Sequence, residues 1–167
     1  WQTELVTDTM DNGYHAIIVT VTDGQGRSLQ ATRGFYVENQ LPRAVWKYQA
    51  QSWTMVKPAC DGERVITGTE DGRIIALNLS DGKECWPPYR TGGSVFSSPL
   101  IHNQMVLAGS TDGKLYAIDL TNGQLLWTYD AGMPILSAPV IHDTLLFLGG
   151  KSGLCAISLN SHQQVWK

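Results

Sequence analysis

The sequence predicts an all-β fold, a partial β-propeller of three four-stranded antiparallel blades preceded by a β-hairpin. The first observation is a repeat whose copies close on evenly spaced tryptophans: Trp46, Trp86, Trp127 and Trp166. The second is the content of each copy, in which short apolar runs of strand length are divided by Gly-containing turns. A period near forty with strand-like content is typical of propeller blades.

The second copy shows the four strands of a blade most clearly. Its apolar runs span residues 98–101, 105–110, 114–120 and 124–129. In the third run Leu115 and Ala117 alternate with Tyr116 and Ile118, so the two pairs are expected on opposite faces of the strand. Four strands joined by three tight turns predict an up-and-down antiparallel sheet.

Asp-Gly and Asn-Gly steps between the apolar runs predict hairpin turns. In the second copy these steps are Asp112-Gly113 and Asn122-Gly123, and we expect type I′ turns, which need positive φ at both central residues. The first copy has Asp71-Gly72 and Asp81-Gly82 between expected strands at 56–60, 64–69, 73–79 and 83–86. The third copy is less regular, because Asn160-Ser161-His162 replaces the last Gly turn.

The segment 1–41 does not carry the repeat. Two strands at 14–22 and 28–37, joined by a turn at 23–26, predict a long hairpin, with a further segment at 5–10. Two or three strands alone are marginally stable, so we expect them to pair with further strands or to dock on the propeller. We therefore divide the chain at residue 42, with blades at about 44–86, 87–127 and 128–167.

Composition excludes several classes of function. A net charge of −3 argues against nucleic-acid binding, which needs a concentrated basic surface. No apolar run approaches the roughly twenty residues of a membrane-spanning helix. The chain opens at Trp1 without a leader, and we expect a fragment of a larger protein. Three buried thiols are expected at Cys60, Cys85 and Cys155, with a Cys60–Cys85 disulfide as the alternative.

The closing part of each repeat resembles a known motif. Ala-x-Asp/Asn-x-x-x-Gly-x-x-x-Trp occurs from Ala76 to Trp86 and from Ala117 to Trp127. It resembles the tryptophan-docking repeat of the pyrroloquinoline-quinone (PQQ)-like propellers, a family that includes quinoprotein-type and BamB-like proteins. The resemblance implies that each Trp wedges between blades on the Gly-containing backbone of a neighbouring repeat, and that the protein is periplasmic or secreted. The residues given this structural docking role are Ala76, Gly82, Trp86, Ala117, Gly123, Trp127, Ala156 and Trp166, with Ser158 and His162 replacing the motif Asp and Gly in the third copy.

The opening residues resemble a second family. Asp11 to His15, followed by the alternating run from Ile17 to Gly24, is similar to the last strands of bacterial immunoglobulin-like domains. In some extracytoplasmic proteins such a module lies between a calcineurin-like metallophosphoesterase domain and PQQ-like repeats. The resemblance therefore implies an Ig-like β-hairpin here and a catalytic domain upstream as one partner.

No set of residues predicts chemistry in this chain. His102 and His142 occupy equivalent turns, where hydrogen bonding within the turn is favoured over a metal site. Quinone-dependent dehydrogenation would need PQQ, Ca²⁺, a catalytic Asp and, by the family resemblance, adjacent cysteines, and the chain has no Cys-Cys. We therefore predict no catalytic, cofactor-binding or metal-binding residue. Trp53 falls outside the repeat register and is predicted as a surface contact for a ligand or partner.

The sequence favours a non-catalytic scaffold for protein or ligand binding within a larger extracytoplasmic protein. The segments that differ most between copies, 87–95 and 130–136, are expected to form its contact face. The alternatives are the accessory region of a calcineurin-like phosphoesterase and a fragment of a PQQ-dependent dehydrogenase. Since closed propellers have four to eight blades, we also expect the isolated chain to self-associate.

Overall fold

The computed structural model describes residues 13–22, 24–37 and 45–166, and the chain divides into two compact units, 1–44 and 45–167. The first unit contains a two-stranded antiparallel hairpin of β1 (Gly13–Thr22) and β2 (Ser28–Val37). Its register runs from Gly13 opposite Val37 to Thr22 opposite Ser28. The expected strand at 5–10 lies outside the described residues.

The second unit contains three four-stranded antiparallel sheets, which confirms the predicted partial propeller. Blade 1 consists of β3 (Ala59–Cys60), β4 (Arg64–Gly68), β5 (Arg73–Asn78) and β6 (Tyr89–Arg90). Blade 2 consists of β7 (Leu100–His102), β8 (Met105–Gly109), β9 (Lys114–Asp119) and β10 (Leu125–Asp130). Blade 3 consists of β11 (Val140–His142), β12 (Leu145–Gly150), β13 (Gly153–Ser158) and β14 (Gln164–Trp166). In each sheet, consecutive strands are neighbours.

The fourth strand of blade 1 differs from the prediction. The ladder with β5 is made by Tyr89 and Arg90, whereas the expected strand at 83–86 contributes only a single bridge between Leu77 and Glu84. Pro87 and Pro88 separate the two parts. Because proline has no backbone N–H to donate, the ladder is interrupted there and resumes after the second proline.

The turns also differ in type from the prediction. Gly72 and Gly113 have φ of 82° and 91°, but the aspartates before them do not have positive φ. Each turn is instead closed by a bond from the Gly N–H to a carbonyl three residues back, so it is a type I turn followed by a left-handed glycine. Type I′ geometry occurs between β7 and β8, where Asn103 and Gln104 have φ of 46° and 61°.

The apolar core lies between neighbouring blades rather than within one sheet. Strand β9 supplies both layers, since Tyr116 and Ile118 pack towards blade 1 and Leu115 and Ala117 pack towards blade 3, as the alternation predicted. The layer between blades 1 and 2 also contains Ile66, Ile74, Ala76, Trp86, Val95, Val106, Ala108 and Leu120. The layer between blades 2 and 3 also contains Leu107, Ala131, Met133, Ile135, Leu146, Leu148, Cys155 and Ile157.

The segments that connect one blade to the next are buried where they cross between sheets. Val95 lies against Gly68, where an added Cβ would come within 2.3 Å of its side chain, and Ile135 lies against Gly109 in the same way at 2.2 Å. Ala131 and Met133 are buried as well. The prediction that 87–95 and 130–136 form the contact face is therefore wrong for these residues, which are part of the interblade core.

The face of blade 3 that points away from blade 2 is partly exposed, and we call it the end face. Four residues lie in register across its four strands: Val140, Phe147, Ala156 and Trp166. In blade 2, Leu107 and Ala117 occupy the places of Phe147 and Ala156, and both are fully buried against blade 3. On the end face, Val140 and Trp166 are 58% and 43% exposed, whereas Ala156 is fully buried.

Candidate functional site

The tryptophans that end the repeats join the blades through a recurring contact. Trp46 packs on Gly82, and its indole N–H donates to the carbonyl of Leu79 at 2.8 Å. Trp86 packs on Gly123, and its N–H donates to the carbonyl of Leu120 at 3.2 Å. We call each arrangement a clasp, because it combines ring packing with one directional hydrogen bond to the following blade.

Glycine is required at the clasp for two separate reasons. Gly82 and Gly123 have φ of 70° and 74°, which residues with a Cβ adopt at a cost. A Cβ on Gly123 would also lie 2.5 Å from an indole atom of Trp86, and one on Gly82 would lie 2.6 Å from Trp46. The indole thus rests directly on glycine backbone.

At the third junction the indole contacts a different receiving residue. His162 takes the place of the glycine with φ of 56°, and its ring stacks on Trp127 with centroids 4.2 Å apart and planes 21° apart. The replacement of Gly by His in the third copy therefore acts on Trp127 of blade 2, and not on Trp166 of the same copy. An imidazole face replaces glycine backbone as the surface on which the indole rests.

The remaining residues with a predicted docking role lie either on the third strand of a blade or on the end face. Ala76, Ala117 and Ala156 are fully buried at equivalent positions on the third strand of each blade. Ala117 and Ala156 lie directly opposite Trp127 and Trp166 in the ladder. Trp166 contacts Phe147 on the end face with ring centroids 5.8 Å apart.

Trp53 lies outside the clasps and is 70% exposed, and Met55, two residues further on, is 69% exposed. The segment that carries it is held to blade 1 by polar contacts. The N–H of Glu70 donates to the carbonyl of Trp53 at 2.9 Å, and the N–H of Asp71 donates to the Ser52 hydroxyl at 3.3 Å. Trp53 is therefore presented to solvent from a segment that hydrogen bonds hold to blade 1.

Arg73 completes the anchor of this segment. Its guanidinium donates to the carbonyl of Ala50 and pairs with the Asp71 carboxylate, Nε to Oδ2, at 2.8 Å. The pKa of Asp71 is lowered, first by a hydrogen bond from the Thr69 hydroxyl and then by Arg73. The carboxylate consequently stays charged at neutral pH and keeps Arg73 in place.

The histidine pair predicted for turn hydrogen bonding lies in the first turns of blades 2 and 3. Asn103 Nδ2 is 2.9 Å from His102 Nε2, and His142 Nε2 is 3.5 Å from Asp143 Oδ2. Among the residues that the structure describes, no group of three or more His, Cys, Asp or Glu side chains is arranged to hold a metal ion.

The cysteines differ from the expectation of three buried thiols. Cys60 is exposed, Cys85 is half-buried and Cys155 is buried. Burial raises the pKa of the Cys85 thiol. The alternative disulfide between Cys60 and Cys85 is not formed.

A partly buried polar contact secures the connection between blades 1 and 2. Tyr116 donates its hydroxyl proton to Asp112 Oδ2 at 2.5 Å, and the N–H of Gly92 reaches both groups at 3.1 Å. Burial, followed by the bond to Asp112, raises the pKa of Tyr116 to about 12. Burial alone would raise the pKa of Asp112, but the bonds from Tyr116 and from the N–H of Lys114 lower it.

We expect this contact to make stability fall at alkaline pH. The unfolded chain loses the Tyr116 proton near pH 10, while the folded protein retains it to about 12, so the contribution is complete below pH 10 and is lost between pH 10 and 12. At pH 8, Tyr116→Phe should lower the free energy of unfolding by about 1 kcal/mol. Urea unfolding of both proteins at pH 8 and 11 measures the difference, which should shrink at the higher pH; a constant difference would contradict the assignment.

In the part of the chain described, no helix meets the length and apolarity needed to cross a membrane.

Three comparisons relate this geometry to known proteins. A quinoprotein alcohol dehydrogenase, PedH of Pseudomonas putida, is 30% identical over a stretch covering 43% of this chain and 14% of its own length. The structure of BamB from Moraxella catarrhalis superposes with a TM-score of 0.63 at 23% identity, covering 73% of this chain and 38% of that one. The structure of quinohemoprotein alcohol dehydrogenase ADHIIG from Pseudomonas putida HK5 superposes with a TM-score of 0.63 at 20% identity, covering 71% of this chain and 21% of that one.

At identities this low, the likenesses to the two solved structures show the fold alone. The chain spans less than half the length of each of these three proteins. The family described as outer membrane protein assembly factor BamB matches residues 1–167, and the chain therefore belongs to that family.

Proposed function

We propose that this chain is a non-catalytic propeller segment that gives a larger periplasmic or secreted protein a rigid surface for binding another protein. The family description, an outer membrane protein assembly factor, supports a role exerted through protein contacts. The observation that carries the proposal is Trp53, which is 70% exposed on a segment anchored by Arg73 and by the N–H groups of Glu70 and Asp71.

An anchored tryptophan is well suited to this role. Tryptophan is enriched among the interface residues that dominate binding energy. A segment already held in one conformation loses little entropy on binding, so more of the contact energy appears as affinity. Exposed Met55 adds a flexible apolar side chain two residues away, which extends the apolar contact area around the indole.

The test is site-specific photo-crosslinking in the intact native protein within its own cells. A photoreactive phenylalanine analogue at position 53 should give a protein adduct of defined mass, and Trp53→Ala should weaken binding of the captured partner by at least about 30-fold. The matched control places the same analogue at Leu126, a 48% exposed apolar residue of blade 2. Identical adducts at both positions, or none at position 53, would refute the proposal.

A PQQ-dependent dehydrogenase is the second candidate, favoured by the 30% identity to PedH. The residues present do not fit the cofactor and its metal ion. The described residues hold no metal-type cluster, the sequence has no adjacent cysteines, and the indoles of Trp46 and Trp86 are engaged in clasps. Adding PQQ and Ca²⁺ to the chain should leave the quinone absorbance and the tryptophan fluorescence unchanged; saturable changes in both would support the dehydrogenase instead.

The accessory region of a calcineurin-like phosphoesterase remains a prediction from the resemblance of the segment 1–41 to an immunoglobulin-like module. Mass spectrometry of the intact native polypeptide distinguishes it from the scaffold. Asp, His and Asn metal motifs upstream of Trp1 would make the whole protein a hydrolase. Further Trp-ending repeats there would support the scaffold.

A further inference from the structure

We propose that His162 makes the junction between blades 2 and 3 respond to pH, because its protonated ring holds the Trp127 indole more firmly than its neutral ring does. The imidazole lies nearly flat on the indole, with ring centroids 4.2 Å apart and planes 21° apart. A cation within about 6 Å of the centre of an aromatic ring is attracted to its face, and tryptophan gives the strongest attraction. An imidazole becomes such a cation when it takes up a proton.

The turn that carries His162 has the same main-chain hydrogen bond as the receiving turns of the two clasps. The N–H of His162 donates to the carbonyl of Ser158 at 2.8 Å. The N–H groups of Gly82 and Gly123 each donate to the carbonyl four residues back at 2.9 Å. All three receiving residues have positive φ. Glycine therefore suits this turn, and His162 adds an ionisable ring where the clasps have only backbone.

The stacked pair bridges two blades and is partly shielded from water. Trp127 lies on β10 of blade 2, and His162 lies in the turn between β13 and β14 of blade 3. Both residues are half-buried, so water screens their attraction less than it would on an open surface. Protonation would strengthen this junction selectively, because Trp46 and Trp86 rest on glycines, which do not titrate.

Other ionisable groups near His162 have to be separated from the indole. Those on the described elements packed around it, which are β10, β13 and the turn between β11 and β12, are Tyr129, Asp130, Cys155, His142 and Asp143. Burial raises the pKa of Tyr129, so its hydroxyl stays neutral at acid and neutral pH. His142 and Asp143 lie together, Nε2 to Oδ2 at 3.5 Å, and their side chains are 80% and 84% exposed. The carboxylates of Asp130 and Asp143 are therefore the alternative partners of a protonated His162.

The direction of the pH dependence follows from proton linkage. The charged ring has a partner in the folded protein that it lacks in the unfolded chain, so folding favours the protonated form. The added stability is complete at acid pH and is lost as the pH rises through the range around 6.5 in which histidine titrates. For a partly exposed cation–π contact, the unfolding equilibrium constant should change by about two- to fivefold between pH 5 and pH 8.

Denaturant unfolding of the 167-residue chain at pH 5 and pH 8 tests the proposal. His162→Gly restores the residue found in the clasps, and His162→Asn provides a second side chain that tolerates left-handed backbone and does not titrate. Relative to each variant, the wild type should gain about two- to fivefold in stability on going from pH 8 to pH 5. The matched control His142→Asn removes an exposed histidine from a neighbouring turn and should keep the full response. Equal pH dependence in the wild type and both His162 variants overturns the proposal.

Trp127→Leu identifies the partner of the charged ring. With His162 kept and the indole removed, the pH response should disappear, while circular dichroism verifies the fold. A response that persists would belong to Asp130 or Asp143 and would overturn the proposal.

Tryptophan fluorescence gives an independent measurement, because a protonated imidazole quenches an adjacent indole more strongly than a neutral one. Between pH 8 and pH 5 the emission of the wild type should fall relative to that of His162→Gly. In the Trp127→Leu background, the same comparison should show no difference. A difference that remains there would place the quenching at another tryptophan and would also overturn the proposal.

Discussion

Replacing Trp86 with alanine is expected to lower the free energy of unfolding by about 3 to 5 kcal/mol. Trp86 is 4% exposed in the layer between blades 1 and 2, and its indole N–H donates to the carbonyl of Leu120. Removing it leaves a cavity over Gly123 and an unpaired carbonyl at the same junction. Chemical denaturation followed by far-ultraviolet circular dichroism measures the change.

Trp166→Ala is the matched control, because the residue has the same place in its repeat but lies on the partly exposed end face. We expect a cost of about 1 kcal/mol or less there. Trp86→Phe separates the two parts of the clasp, since it keeps an aromatic ring and loses the N–H donor, and it should cost an intermediate amount. Equal effects of Trp86→Ala and Trp166→Ala would show that the clasp does not stabilise the junction.

Gly123→Ala is the second large effect, with an expected loss of about 2 to 4 kcal/mol. About 1 kcal/mol comes from placing a Cβ on a residue with left-handed backbone. A further contribution of about 1 to 3 kcal/mol comes from forcing the Trp86 indole away from a Cβ that would otherwise lie 2.5 Å from it. Thermal or denaturant unfolding measures the total loss in the free energy of unfolding.

Gly62→Ala isolates the backbone part of this cost. Gly62 has φ of 96°, but an added Cβ would meet nothing within 4 Å. Its substitution should therefore cost about 1 kcal/mol from the dihedral angle alone. If Gly62→Ala and Gly123→Ala were equally destabilising, the close contact with Trp86 would contribute nothing to the loss of unfolding free energy. Combining Gly123→Ala with Trp86→Ala should recover part of the loss, because the clash no longer exists.

The strand content and the number of blades could be predicted because their signals are local. Alternation in β9 and the spacing of the four tryptophans depend only on neighbouring residues and on the repeat. Turn type was less predictable, since Asp-Gly is compatible with a type I turn ending in a left-handed glycine as well as with type I′. The displaced strand of blade 1 had a visible signal in Pro87 and Pro88, which prevent a continuous ladder.

The interblade contacts could not be predicted from the local sequence pattern. Segments 87–95 and 130–136 differ between copies, which usually indicates exposed loops, yet Val95 and Ile135 are buried against glycines of the preceding blade. His162 has no sequence neighbour that predicts a role, because its partner Trp127 lies in the preceding repeat. The anchoring of Trp53 similarly depends on Arg73, which begins the third strand after it along the chain.

The clasps also bear on the order in which such a chain can assemble. Each indole N–H reaches a carbonyl only 33 or 34 residues further on, which is less than one repeat. Closing a loop of that length costs little entropy compared with joining the two ends of a whole domain. A junction can therefore close as soon as the next blade has been synthesised and folded, and the array can grow from its amino-terminal end one blade at a time. No clasp has to wait for a distant part of the polypeptide.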